Sequence, residues 1–156
     1  ANIIALANQN NLPTFVDPKH ANFWEYPNVT IFKPNLSELE NDNKSTHKLE
    51  LETLLHHPYN KLQCKRLICT LAEQGNVIID NENITFTPTE KIDVVDVSGA
   101  GDSALAIISL SYLLGYEIKD IATLANLSGR AACLQTGVST ISMEEIKNAF
   151  LSSYHQ

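Results

Sequence analysis

Four small residues, Ser98-Gly99-Ala100-Gly101, lie between Asp96 and Asp102, after an apolar stretch and directly before a helical pattern. Small side chains let a backbone approach an anion closely. The first amides of a helix are unpaired and carry the positive end of its dipole, so a phosphate placed there meets backbone donors. Asp102 falls in the first helical turn, where a carboxylate repels such a phosphate. It makes chemical sense there as a helix cap, or as a base taking a proton from an attacking hydroxyl. Phosphoryl transfer needs this set: donors toward developing phosphate charge and a group that orients the nucleophile. The G-x-x-x-x-G-K-[ST] pattern is absent, so this is not a P-loop. From the residues alone a second reading stays open, a glycine-rich helix start with Asp102 as its N-cap.

The elements that must position this segment follow from periodicity. Ile3, Ile4, Leu6 and Ala7 read as the end of an amphipathic helix stopped by Asn10-Asn11 and Pro13. Thr14-Phe15-Val16 and Val29-Thr30-Ile31-Phe32 read as short buried strands, the second ending at Lys33-Pro34. Asn35 to Glu40 reads as a short helix with Asn35 near its N-cap, residues 41–46 as a polar loop, and Lys48 to Leu55 as a helix. Arg66 to Leu71 is a predicted strand, Gly75 a turn, Val77-Ile78-Ile79 a return strand, and Asn81-Glu82-Asn83 a turn into Ile84-Thr85-Phe86. Lys91 to Val95 is predicted extended. Three helices then close the chain: Asp102 to Leu114, Glu117 to Gln135 and Ser142 to Ser152, with Gly115 and Gly137 as stops. Strands alternating with helices, then helices alone, predict an α/β layered fold with a mainly parallel central sheet flanked by helices.

Composition narrows the function classes. The 156 residues are 44% hydrophobic and 19% charged, a globular balance, and the net charge of −7 argues against a nucleic-acid-binding module. No apolar run approaches the ~20 residues that span a bilayer; the longest, Ala104 to Leu114, is interrupted by Ser109, Ser111 and Tyr112. No membrane partner is therefore expected. Residues 1–12 lack the basic start of a signal peptide, and the first residue is not Met, so an upstream start is expected. Cys64, Cys69 and Cys133 form no C-x-x-C and predict free, mostly buried thiols in a reducing, cytoplasmic setting. His56-His57 reads as a solvated helix end before Pro58 rather than a metal site.

The run Asp96 to Ala106, "DVSGAGDSALA", closely resembles the C-terminal signature of the ribokinase-like (pfkB-type) carbohydrate kinases. The resemblance implies that Asp102 is the general base toward the sugar hydroxyl and that the amides of Gly99, Ala100 and Gly101 form the anion hole. Lys33-Pro34-Asn35-Leu36-Ser37-Glu38 resembles the family's P-N-x-x-E block, which implies that Asn35 and Glu38 organise magnesium through water. By itself that block is also an N-capped helix. Thr70-Leu71-Ala72-Glu73-Gln74-Gly75 resembles the T-x-G-x-x-G turn beneath the nucleotide, with Ala72 in place of the first glycine. If that position needs a positive φ, Ala72 is strained. Residues 125–132 resemble the small-residue helix beside the adenine, with Asn126 as the implied base contact; close helix packing explains small residues equally well. Asp96 and Ser98 correspond to residues whose backbone lines a monovalent-cation site. The implied cofactors are ATP, Mg2+ and K+.

Within the family the chain is most similar to the D-glycero-D-manno-heptose-7-phosphate kinases, the kinase part of ADP-heptose synthases. Asp17-Pro18-Lys19 resembles their D-P-K segment, in which Lys19 would face a phosphate; a solvated loop lysine is the alternative. "YPNVTIFKPNLSELE", Ile107 and the "TGVSTIS" stretch at 136–142 support the same group. The resemblance implies an ATP-dependent kinase phosphorylating heptose 7-phosphate at O1, for the lipopolysaccharide core precursor. It covers residues 1–156 as the C-terminal, nucleotide-binding portion of one kinase domain of roughly 300 residues, beyond the ~100–150 of a typical compact domain. The missing N-terminal half and its lid would supply sugar-binding residues and a homodimer contact, and a kinase without a fused nucleotidyltransferase part after Gln156 is the expectation. Alternatives are a pfkB-type kinase for ribose, fructose, fructose 6-phosphate or adenosine, and a non-catalytic nucleotide-binding module.

Overall fold

The computed structural model describes residues 2–42 and 50–152. The polar loop expected at 41–46 and the helix start expected at Lys48 lie largely outside them.

A five-stranded sheet runs in the order β1-β2-β3-β4-β5, with β1 at Phe15–Val16, β2 at Ile31–Phe32, β3 at Arg66–Thr70, β4 at Asn76–Asp80 and β5 at Asn83–Thr87. The first three strands are parallel, Phe15 opposite Ile31 and Ile31 opposite Arg66. β3, β4 and β5 are joined by connections too short for a parallel crossover, so that side of the sheet is built of hairpins. β2 and β4, and the middle of β3, are buried, as strands covered on both faces must be. β5 is the exposed edge.

The helices are α1 (Asn2–Gln9), α2 (Leu36–Asp42), α3 (Leu51–Leu62), α4 (Ala100–Leu113), α5 (Ile118–Cys133) and α6 (Met143–Ser152). Residues 1–72 and 77–86 make one compact unit; residues 73–76 and 87–156 make a second. The first holds the sheet and a core around Phe32, Leu55, Leu67 and Ile79, all fully buried. Phe23 packs edge-on against Phe32 with ring centroids 5.1 Å apart. Among the described residues no helix is long and apolar enough to cross a membrane.

Two expectations are corrected. α3 does not end before Pro58 but runs through it to Leu62, where Gln63 closes it in the left-handed conformation at φ +53. A proline inside a helix forfeits one backbone hydrogen bond. Here its ring is buried on the same face as Leu54, Leu55 and Leu62, and that packing carries the helix onward. His57 lies against Trp24 with ring centroids 5.2 Å apart and planes tilted by 59°, and His56 lies 3.9 Å from Glu52 one turn back. The second correction is Lys91 to Val95, which forms no strand; Val94 and Val95 are more than half exposed. The three thiols are free, as expected: Cys64 and Cys69 are buried, and burial pushes both up to about 12, while Cys133 is half-buried.

Candidate active site

In the first unit, site residues gather at the carboxyl ends of β1, β2 and β3, where open parallel sheets bind ligands. The register that sets Val16 opposite Phe32 brings the next residues, Asp17 and Lys33, side by side. Lys33 Nζ is 2.7 Å from Asp17 Oδ1, and the lysine is 1% exposed. Lys19, whose side chain is 74% exposed, reaches Asp17 Oδ2 at 3.1 Å. Lys33 is the residue that sequence reasoning passed over. Its signal was positional: two short buried strands in parallel, each followed at once by an opposite charge.

Asn35 bridges to Thr70, and the Thr70 amide donates to the Pro34 carbonyl at 3.1 Å. Asn35 caps α2 as expected. Its Oδ1 accepts from the Glu38 amide at 2.8 Å, and Glu38 Oε2 accepts from the Asn35 amide at 2.8 Å. This reciprocal capping fixes both side chains. Glu38 Oε1 accepts no hydrogen bond among the described residues. No cluster of three or more His, Cys, Asp or Glu able to hold a metal directly occurs among the described residues. A hydrated magnesium ion needs only one or two carboxylates, so this donor set fits it.

Ala72 adopts φ +51, so the strain expected from the missing glycine is present. Because Ala72 is exposed, Ala72→Gly removes little packing. The expected gain is about 0.5–1 kcal/mol, read as a higher urea midpoint with unchanged slope. A lower midpoint would show that the left-handed turn is not strained.

In the second unit, Gly75 turns at φ +105, and a Cβ there would sit 2.2 Å from the Thr87 carbonyl oxygen. Asn76, fully buried, donates to the Ala122 carbonyl at 2.9 Å and to Asn126 Oδ1 at 2.8 Å. Asn126 Nδ2 donates in turn to the carbonyls of Thr87, at 3.0 Å, and Pro88, at 3.2 Å. The Asn126 amide is thus engaged in a structural network at both ends rather than presented to a base. The small residues of α5 likewise serve close packing: Ala122, Ala125, Ser128 and Ala131 are buried, and a Cβ on Gly129 would lie 4.0 Å from the Ala100 carbonyl.

Asp96 is a bracket. Its Oδ1 accepts from the Ser98 amide at 2.9 Å and the Ser98 hydroxyl at 2.8 Å, and its Oδ2 from the Gly137 amide at 2.9 Å. These donors, the Ser98 amide foremost, hold its carboxyl below the ordinary value. A depressed carboxyl stabilises the fold above its unfolded value, about 3.9, and loses that contribution as pH falls through the folded value. The stability gap between wild type and Asp96→Asn is therefore expected to shrink from pH 6 to pH 3 in urea titrations. A gap independent of pH would remove the bracket's charged role.

Gly99 is the N-cap of α4, left-handed at φ +79 and without a side chain to cap it. Asp102 is therefore not the N-cap; it lies three residues on, exposed, with no hydrogen-bond or ion-pair partner among the described residues. The amides of Gly99, Gly101 and Asp102 find no acceptor among those residues either. The Ala100 amide differs from expectation: it donates to the Val97 carbonyl at 3.3 Å within the turn. Open backbone donors beside an uncommitted carboxylate are the arrangement that phosphoryl transfer to a hydroxyl requires.

Comparison with known proteins gives the family and the fold. Residues 1–146 fit the model of the pfkB family carbohydrate kinases, and the chain belongs to that family. It is 31% identical over 153 residues to the bifunctional protein HldE of Vibrio vulnificus, covering 97% of this chain and 32% of that protein. It superposes on phosphofructokinase-2 of Escherichia coli, solved with potassium, with TM-score 0.85, 21% identity, 99% of this chain and 52% of that one. Ribokinase of Thermotoga maritima gives TM-score 0.79 at 19% identity, covering 96% of this chain and 52% of that one. The fold is therefore ribokinase-like, and the chain spans about a third of the curated relatives it matches and about half of the solved neighbours.

Proposed function

We propose that the chain is the C-terminal portion of an ATP-dependent, cytoplasmic sugar kinase domain acting on D-glycero-D-manno-heptose 7-phosphate at O1. The observation that carries the transfer chemistry is the α4 start, where unpaired amides adjoin the free Asp102 carboxylate. The D-P-K segment and the similarity to HldE support the heptose substrate.

Asp102 takes the proton of the anomeric hydroxyl as that oxygen attacks the γ-phosphorus in line. The P–O bond to ADP breaks, and the products are the 1,7-bisphosphate, ADP and a proton. The Gly99 and Gly101 amides receive the charge gathering on the transferring oxygens. Thr70 and the Ala72–Gly75 turn shape the nucleotide side, and Lys19, the exposed lysine on Asp17, gives positive charge to phosphate oxygens. Asn35 and Glu38 would hold magnesium through water; when bound, it supplies charge neutralisation on the phosphates. A potassium ion would sit against the backbone of Asp96 and Ser98, whose side chains are already engaged.

An upstream half supplies the sugar-binding residues and the lid. It covers the apolar side chains that α4 leaves exposed, Leu110, Leu113 and Leu114. The isolated 156 residues are accordingly expected to turn over poorly, since closure completes such sites. The test is ADP release by the full-length chain with Mg-ATP and heptose 7-phosphate, fructose 6-phosphate, ribose or adenosine. Selective turnover of heptose 7-phosphate supports the reading. Preference for another sugar keeps the mechanism and discards the substrate. ATP binding with no turnover of any sugar favours a nucleotide-binding module.

A further inference from the structure

We propose that Arg130 is a positioning residue for the anion-binding turn, acting through its ion pair with Glu90; as a statement about catalysis this rests on the kinase reading above. Asn126, Arg130 and Cys133 are spaced four and three residues apart, so they share one face of α5. The first two side chains and the terminal carbonyl of α5 hold the segment leading into the turn at three successive points. Asn126 Nδ2 donates to the Thr87 and Pro88 carbonyls. Arg130 Nη1 is 3.1 Å from Glu90 Oε2. The Cys133 carbonyl accepts from the Val95 amide at 2.9 Å and the Asp96 amide at 3.3 Å.

Between β5 and α4 this segment has neither helix nor strand, and Val94, Val95 and Val97 are 53%, 61% and 69% exposed. Apolar burial therefore does little to hold it, and the polar attachments set its path. Arg130 provides the middle one. Its side chain is only 11% exposed, and its Nε is buried without an acceptor, so the guanidinium depends on Glu90 for compensation. The neighbouring Gly129 faces the Ala100 carbonyl, which places this level of α5 beside the turn itself. Releasing the pair frees the chain between residues 88 and 95 and lets Gly99 and Asp102 drift from the reacting atoms.

The experiment is a mutant cycle in the full-length chain with Arg130→Gln, Glu90→Gln and the double variant, read by steady-state kinetics and by amide hydrogen exchange. Each single variant is expected to lower kcat about 10- to 100-fold with KM for ATP unchanged, the loss that a small misplacement of reacting groups produces. The double variant should be no worse than either single one. Exchange of the Val95 and Asp96 amides, which the Cys133 carbonyl holds, should quicken at least tenfold while α6 stays protected. A lower Tm with kcat unchanged would reduce Arg130 to a structural role. A raised KM for ATP at constant kcat would make it a ligand contact, and additive losses would dissolve the pair; each of these overturns the proposal. If the wild-type chain phosphorylates no sugar, the kinase reading falls and the exchange measurement decides alone. Unchanged exchange at the Val95 and Asp96 amides then overturns the positioning role, and quickened exchange supports it.

Discussion

Asp102→Asn in the full-length chain is expected to lower kcat by about 100- to 10,000-fold, the range that a positioned general base contributes. KM for ATP should stay within about twofold, because the amide donors at the α4 start are backbone groups that the substitution leaves in place. Stability should change little. Asp102 is exposed and without a partner, so the variant forfeits only the favourable placement of a negative charge near a helix N-terminus, about 0.3–1 kcal/mol. Asparagine is isosteric and cannot accept the proton, so loss of turnover with normal nucleotide affinity isolates proton transfer. A variant retaining more than a tenth of wild-type kcat would remove Asp102 from the role of base.

Gly75→Ala is expected to be more damaging than the same methyl group added at Gly99, Gly115, Gly129 or Gly137. The new Cβ would sit 2.2 Å from the Thr87 carbonyl oxygen and 2.9 Å from the Pro88 carbonyl carbon, both backbone atoms, at φ +105. A flexible side chain could swing aside, but these atoms cannot without moving the carbonyls that Asn126 holds. Steric conflict and unfavourable backbone together should cost about 3 kcal/mol. Gly115→Ala is the internal control: φ is +77, but nothing lies within 4 Å of the new Cβ, so only backbone strain of about 1–2 kcal/mol is expected. Urea midpoints of the two variants read the comparison directly. Equal losses would show that crowding at Gly75 relaxes freely.

Local signals carried much of the fold. Asn35 and Glu38 three residues apart, ahead of Leu36 and Leu39, specify a capped helix, and the cap formed as read. The substitution of Ala72 for glycine signalled a strained turn, and its positive φ is there. What was illegible depended on partners distant in sequence. Pro58 marks a helix end by local rules, yet burial beside Leu54 and Leu62 overrides it. Residues 91–95 are apolar enough for a strand but find no strand neighbour, and the carbonyl of Cys133 takes the Val95 amide instead. Asn126 faces inward to Asn76, fifty residues away, which no periodicity announces. Lys33 showed itself only once the parallel register of β1 and β2 set it against Asp17.

The bare N-cap of α4 also bears on protein engineering. A designer seeking thermostability would see an uncapped helix and place Ser, Asp or Asn at position 99, a change that elsewhere yields about 1 kcal/mol. Here position 99 sits at φ +79, where any side chain is strained, and an oxygen added beside the open amides would compete for them with the transferring group of the proposed reaction. On the proposed kinase reading, glycine at 99 keeps those donors open to the transferring group, and the modest helix stability forgone at this end serves that role. Stabilising campaigns on this fold should leave position 99 untouched and look to the exposed, strained turn at Ala72.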